Sequence, residues 1–152
     1  MSKYRKIFDQ LVQLAGDFGQ DVILGTKSDR WEPSEDRIYI RASDPIRIRI
    51  FSLAHEIGHV VIWETSPEWV RRKMDSRVGI WELEGEVRAW YEAEVILAGI
   101  WPDYYSTAFV EDRIKALGQY FLKGRIKWGD LKVCRITWKK AKLSTIKIGF
   151  RY

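Results

Sequence analysis

The chain has 152 residues, 46% of them hydrophobic and eight of them tryptophan, which is enough apolar material for one domain with its own core and argues against a largely disordered chain. The longest apolar run, 95–101, is far shorter than the roughly 20 residues that cross a bilayer, so we expect no membrane segment. The single cysteine, Cys134, excludes an internal disulfide and predicts a protein of the reducing cytoplasm.

The N-terminal part of the sequence predicts a helix followed by a small sheet. Ile7, Leu11 and Leu14 recur at helical spacing, which is typical of an amphipathic helix with one face on the core. The runs at 21–25 and 37–41 have the short apolar pattern of strands, and a polar segment with a proline separates them. We predict that these two strands form a small antiparallel sheet.

The next segment is ambiguous in its periodicity. It alternates like a strand over 46–51, but its apolar residues also recur at helical spacing as far as position 61. We predict a helix, because Ser43 or Asp44 can cap the free N–H groups of its first turn. Pro45 suits the first helical position, where its missing N–H costs nothing.

Two more helices are predicted downstream, over 80–99 and 107–122, and the basic segment 69–77 is interpreted as a solvated loop or helix end. The final 30 residues contain two alternating runs that predict a basic β-ribbon. We therefore predict one α+β domain over 1–122, with a C-terminal extension, 123–152, packed on it. The apolar stripe of the helix at 80–99 consists of Leu83, Val87, Trp90 and Leu97.

His55 and His59 are the two histidines of the chain, and they are four residues apart on a predicted helix. Such positions lie one turn apart on the same face, so both rings can direct a nitrogen toward a single metal ion. Glu56 can then take a proton from a water in the open coordination position. This is the H-E-x-x-H pattern of zinc peptidases, here HEIGH. The alternative is two core or solvated histidines, but burying unpaired polar groups in an apolar helix is costly.

A catalytic zinc site normally has three protein ligands, and the third cannot be a histidine in this chain. The helix at 80–99 offers several glutamates, of which Glu84 and Glu92 are predicted to point away from the apolar stripe. Glu86 and Glu94 fall on the stripe, where a carboxylate needs a cation or hydrogen-bond donors. Periodicity does not choose between these two, and Cys134 is a less plausible third ligand.

The sequence IFSLAHEIGHVV follows the predicted strand RIYIR and precedes a glutamate-bearing helix, and in this it resembles the ImmA/IrrE family of zinc-dependent metallopeptidases. Members of that family carry an AHE-x-GH helix and then a helix whose Glu, followed four residues later by an aromatic residue, supplies the third ligand. The resemblance covers about residues 37–98 and implies Glu86 as that ligand, with Trp90 as the aromatic residue.

The resemblance implies a small zincin-like domain, in which an N-terminal helix packs on a short, mostly antiparallel sheet and the HEIGH and Glu86 helices form the site. It implies that Zn2+ on His55, His59 and Glu86 hydrolyses peptide bonds of a specific protein substrate such as a regulator, with Glu56 as general base and then proton donor. The strand RIYIR is expected to bind an extended peptide as an edge strand. Three tyrosines are candidates for stabilising the oxyanion, although a structural role is the expectation for each: Tyr91, Tyr104 and Tyr105.

The last 30 residues are strongly basic, with ten Lys or Arg against Asp130 alone, which gives +9 and leaves −4 for residues 1–122. Together with its aromatic residues, this charge suits contact with nucleic acid or with an acidic protein. The alternation over 146–151 describes equally well a strand with one buried face. A second hypothesis is therefore a nucleic-acid- or protein-binding module whose zinc site is structural or vestigial. The peptidase is preferred because its residues have mutually consistent roles.

Overall fold

The structure is a computed structural model that describes residues 1–25, 28–75 and 79–122. Within these ranges it has the predicted α+β class, with five α-helices and one three-stranded sheet. The strands predicted in 123–152, and the packing of that extension on the domain, lie outside the described residues. The elements in chain order are α1 (Lys3–Asp17), β1 (Asp21–Gly25), β2 (Arg30–Glu32), a 3-10 helix (Pro33–Glu35), β3 (Arg37–Arg41), α2 (Ile46–Thr65), α3 (Glu68–Asp75), α4 (Gly79–Ile100), a 3-10 helix (Pro102–Tyr104) and α5 (Thr107–Leu122).

The first helix has the predicted amphipathic form. It begins where the Ser2 hydroxyl accepts a hydrogen bond from the backbone N–H of Arg5, which satisfies one free donor of the first turn. Ile7 and Leu11 are buried and Leu14 is partly buried, so the predicted inner face is confirmed. This face packs on β1 and α2 and thus closes one side of the core.

The sheet is mixed, and the prediction of an antiparallel pair was wrong. β1 pairs with β3 in parallel, from Asp21 opposite Arg37 to Gly25 opposite Arg41, and only β2 pairs with β3 antiparallel. The cause is β2 itself, a strand of three residues inside the polar segment, where no alternating pattern signals it. The chain reverses before and after β2, so β3 runs in the same direction as β1.

The strand order β1-β3-β2 also corrects the expected role of RIYIR. This sequence forms β3, which has a partner on both sides and is therefore the central strand. The edges of the sheet in the described part of the chain are β1 and β2. Ile38 and Ile40 of β3 are fully buried, as expected for a central strand against the core.

The helix of the histidine pair begins one residue later than predicted. Pro45 is the N-cap rather than the first helical residue, with φ −54° and ψ 146°, and no side chain caps the helix. The carbonyl of Pro45 accepts a hydrogen bond from the N–H of Arg49 at 3.0 Å. Ser43 and Asp44 therefore do not have the predicted capping role, because the extended backbone at Pro45 separates them from the first turn.

The remaining helices agree with the predicted ranges, except at 69–77. α4 and α5 extend over Gly79–Ile100 and Thr107–Leu122, close to the predicted 80–99 and 107–122. The basic segment 69–77 was predicted to be a loop or a helix end, and Arg72 and Lys73 lie in the last turn of α3, so the helix end is confirmed although α3 itself was not predicted. No helix in 1–25, 28–75 or 79–122 has both the length and the apolar character to cross a bilayer.

α2 lies at the centre of the domain, in contact with α1, β2, β3, α4 and α5. Its burial on several sides explains why its apolar residues do not form one narrow stripe. Phe51 anchors it, since its ring stacks on Trp101 at 5.9 Å and meets the edge of Phe109 at 5.1 Å between centroids. The helix that carries His55 and His59 is thus held by the core along most of its length.

Candidate metal centre

The centre depends on an unusually close approach of α2 to α4 at Gly58. A Cβ atom on Gly58 would lie 2.3 Å from the carbonyl oxygen of Ala89 and 3.0 Å from its carbonyl carbon, closer than side chains are found to backbone. Only glycine permits this contact. His59 follows Gly58, and Glu86 lies one turn before Ala89, so the same contact brings the histidine face of α2 to the Glu86 face of α4.

The ligand atoms of His55, His59 and Glu86 converge on one point. His55 Nε2 lies 3.0 Å from Glu86 Oε2, His59 Nε2 lies 3.3 Å from Glu86 Oε1, and the two Nε2 atoms are 3.2 Å apart. Ligands held tetrahedrally at roughly 2.0–2.2 Å from zinc are separated by roughly 3.3–3.6 Å, slightly more than the three distances here. The three residues are therefore a group that could hold a metal ion, and two imidazoles with a carboxylate are a donor set found at catalytic zinc sites.

The electrostatics of the group also suit a cation. Burial raises the pKa of Glu86, but the two histidines outweigh burial and hold that pKa well below its ordinary value. Burial lowers the pKa of His59, but Glu86 outweighs this and raises it to about 9. The carboxylate is thus charged and its neighbourhood favours a positive partner. Two imidazoles and a carboxylate are donors that divalent transition metals bind in proteins.

Trp90 fixes the orientation of the first histidine. Its ring stacks on His55 with centroids 4.4 Å apart and an angle of 27° between the planes. Trp90 is 3% exposed, and the Nδ1 atom of His55 is buried without a hydrogen-bond partner in the described part of the chain. Packing, rather than a hydrogen bond to Nδ1, therefore keeps Nε2 directed at Glu86.

Glu56 lies beside the metal ligands, with 7% of its surface exposed, and lines the same cleft. Burial raises the pKa of its carboxyl, and Glu86 adds to this rise while His55 and His59 oppose it. The backbone N–H of Trp31 in β2 also interacts with the carboxylate, in the sense that lowers this pKa. A buried carboxylate with weak solvation is a strong proton acceptor, which is the property a general base requires.

Glu86 and Glu94, between which periodicity did not choose, have different partners in the structure: Glu86 contacts His55 and His59, and Glu94 does not. Glu94 forms a buried ion pair with Arg113 of α5, and both side chains are at most one-tenth exposed. Its carboxylate is therefore neutralised by a residue of α5, about two turns along α4 from Glu86 and the histidines. Glu84 was predicted to point away from the apolar stripe, yet it is buried, and its carboxylate accepts a hydrogen bond from Arg88 at 2.8 Å.

The ligands open into a cleft of about 820 Å³ formed by β2, α2, α4, α5 and the segments around them. The candidate tyrosines Tyr91, Tyr104 and Tyr105 are not among the described residues that line it. Residues without any predicted role do line it, and no periodic pattern signals them because they come from five elements and from the segment before β2. These residues are Asp29, Arg30, Trp31, Arg41, Ser52, Trp63, Trp81, Asp112 and Lys115.

Asp29 shapes the charged part of this cleft. Its carboxylate accepts hydrogen bonds from the Arg41 backbone N–H at 2.6 Å and from the Ser52 hydroxyl at 2.8 Å. These bonds hold the segment before β2 against the end of β3 and against α2, one turn before His55. The position of β2 beside the metal ligands is thereby fixed.

Comparisons of the chain with models of known protein families, with curated protein sequences and with solved structures find no match. The arrangement of His55, His59, Glu86 and Glu56 is therefore the ground on which a function is proposed.

Proposed function

We propose that the chain is an intracellular, zinc-dependent endopeptidase with a zincin-like fold, of the ImmA/IrrE type, that hydrolyses peptide bonds in a specific protein substrate. The observation that carries this proposal is the convergence of two imidazoles and a carboxylate within 4.8 Å of one another, beside the buried carboxyl of Glu56. The single cysteine is consistent with a reducing compartment.

The residues around the centre have complementary roles in this chemistry. Zinc held by His55, His59 and Glu86 would act as a Lewis acid that polarises the scissile carbonyl and makes water a nucleophile at neutral pH. Glu56 takes the proton of the attacking water and then gives it to the leaving amine, which is general base followed by general acid catalysis. Its burial keeps the carboxylate weakly solvated and therefore basic.

The substrate chain is expected to lie along β2 instead of the central β3. Arg30 and Trp31 of this short edge strand line the cleft, and the backbone N–H of Trp31 interacts with Glu56. An edge strand offers backbone groups to an extended peptide, so a peptide added there would cross the cleft beside the metal ligands.

The proposal is tested by incubating zinc-loaded protein with a proteome-derived peptide library and identifying new peptide termini by mass spectrometry. We expect cleavage by the zinc-loaded protein, loss of cleavage after metal is removed with 1,10-phenanthroline, and recovery when zinc is restored. An intact library with the zinc-loaded protein, or unchanged cleavage by metal-free protein, would contradict the proposal.

A further inference from the structure

Three tryptophans line one end of the cleft: Trp31 of β2, Trp63 of α2 and Trp81 of α4, together called the tryptophan wall. α2 and α4 run in opposite directions, because the partners on α4 move back from Trp90 to Ala89 and Glu86 as α2 advances from His55 through Gly58 to His59. Trp63, one turn after His59, and Trp81, just over one turn before Glu86, therefore lie at the same end of the cleft. The wall adjoins the metal ligands directly.

Two rings of the wall, those of Trp31 and Trp63, are held in place, and none of the three rings is fully buried. Trp31 and Trp63 meet edge to face, with centroids 5.8 Å apart and planes at 71°. The Nε1 atom of Trp31 donates a hydrogen bond to Oε1 of the buried Gln20 at 2.8 Å, which fixes its ring. Partly exposed apolar rings that are fixed in a cleft are a preformed binding surface, because a ligand that covers them loses little side-chain entropy there.

Two cations lie against the wall. The Arg71 guanidinium is 5.5 Å from the Trp63 ring, and Lys73 Nζ is 4.4 Å from the Trp81 ring. Tryptophan faces bind cationic ligands as well as apolar ones, so the wall alone would suit either class. Arg71 and Lys73 of the chain itself already make the cation–π contacts with the Trp63 and Trp81 rings that a lysine or arginine side chain would need, which leaves an apolar side chain as the compatible ligand.

The other end of the cleft is different in character. Ser52 lies one turn before His55, in the direction away from Trp63, and it binds Asp29. Asp112 and Lys115 of α5 also line the cleft, and the pKa of the Asp112 carboxyl, raised mainly by burial, is influenced by both Asp29 and His55. The three tryptophans thus lie on one side of the candidate metal ligands, where Glu82 also lines the cleft, and Asp29, Asp112 and Lys115 lie on the other.

We propose that the tryptophan wall is a specificity subsite for a large apolar side chain, aromatic in preference, on the substrate residue next to the scissile bond. This inference rests on the proposed peptidase function. Aromatic rings gain edge-to-face contacts with Trp31 and Trp63 in addition to the burial of their area. A side chain as small as alanine leaves the wall uncovered.

The subsite is tested by calorimetric titration of the zinc-loaded full chain with phenylalanine, alanine and lysine hydroxamates, which share one zinc-binding group and differ in the side chain beside it. We expect phenylalanine hydroxamate to bind about tenfold tighter than alanine hydroxamate, or more, and lysine hydroxamate to bind no tighter than alanine hydroxamate. In Trp63→Ala, the preference for phenylalanine is expected to fall to about threefold or less. Trp69→Ala is the matched control, because Trp69 is 63% exposed and is not among the described residues that line the cleft.

Zinc content and circular dichroism establish that each variant is loaded and folded before titration. Equal affinity of wild type for the phenylalanine and alanine compounds would overturn the subsite while leaving the metal centre intact. If Trp63→Ala keeps the full wild-type preference for phenylalanine hydroxamate over alanine hydroxamate, the tryptophan wall is not the cause of that preference. If no hydroxamate binds to zinc-loaded wild type, the open metal position is absent, and the peptidase proposal and the subsite fall together.

Discussion

Glu56→Gln is expected to lower peptide cleavage by about 100- to 10,000-fold, the range over which general acid and base groups contribute to catalysis. Glutamine matches the shape of glutamate but cannot take a proton from water. The neighbouring ligands His55, His59 and Glu86 are unchanged, so the variant should bind zinc as wild type does. The loss should therefore appear in the rate of cleavage and not in the metal content.

Cleavage rates of wild type and Glu56→Gln, measured on the best peptide from the library at equal zinc content, provide the test. Glu64→Gln is the matched control, because Glu64 is an exposed residue of the same helix and its substitution should leave the rate within about twofold. Full activity of Glu56→Gln would remove Glu56 as the base. Loss of zinc from this variant would instead assign Glu56 a role in binding the metal.

Gly58→Ala is expected to destabilise the domain by about 3 kcal/mol or more and to weaken zinc binding. Overpacking of a well-packed site costs about 1–3 kcal/mol, and here the added methyl group meets the backbone of Ala89 at 2.3 Å, where no side chain can rotate away. The remaining response is separation of α2 from α4. That movement withdraws Glu86 from both histidines.

Thermal unfolding and zinc titration against a competing chelator measure the two effects of Gly58→Ala. Gly99→Ala is the control on α4, because a Cβ atom there meets nothing within 4 Å. Alanine stabilises a helix relative to glycine, so this control should be unchanged or more stable by up to about 1 kcal/mol. Wild-type stability and zinc affinity in Gly58→Ala would mean that the close helix contact does not set the geometry of the centre.

The periodic parts of the fold could be predicted from the sequence. Helical spacing identified α1, α4 and α5, and the HEIGH pattern predicted that His55 and His59 lie on one helix face. Residue spacing, however, shows only which residues of one element share a face, and does not show which elements pair with each other. β2 has three residues and no alternating pattern, so the direction of the sheet and its edge were predicted wrongly.

The candidate site required tertiary information for a similar reason. Glu86 and Glu94 are two turns apart on the same helix, and helical position treats them alike. The two carboxylates differ in their partners from other helices. Arg113 of α5 pairs with Glu94, and the histidines of α2 contact Glu86. The tryptophan wall was not predicted because its members come from three elements.

The most direct measurement is the zinc content of purified wild type, His59→Ala, Glu86→Gln and Glu94→Gln by elemental mass spectrometry. The two glutamine variants make the same isosteric change on α4. Glu86→Gln removes the carboxylate beside the histidines, and Glu94→Gln removes the carboxylate beside Arg113. We expect about one zinc ion per chain in wild type and Glu94→Gln, and a large loss in His59→Ala and Glu86→Gln. Absence of zinc from reloaded wild type, or full zinc retention by Glu86→Gln, would contradict a centre formed by His55, His59 and Glu86.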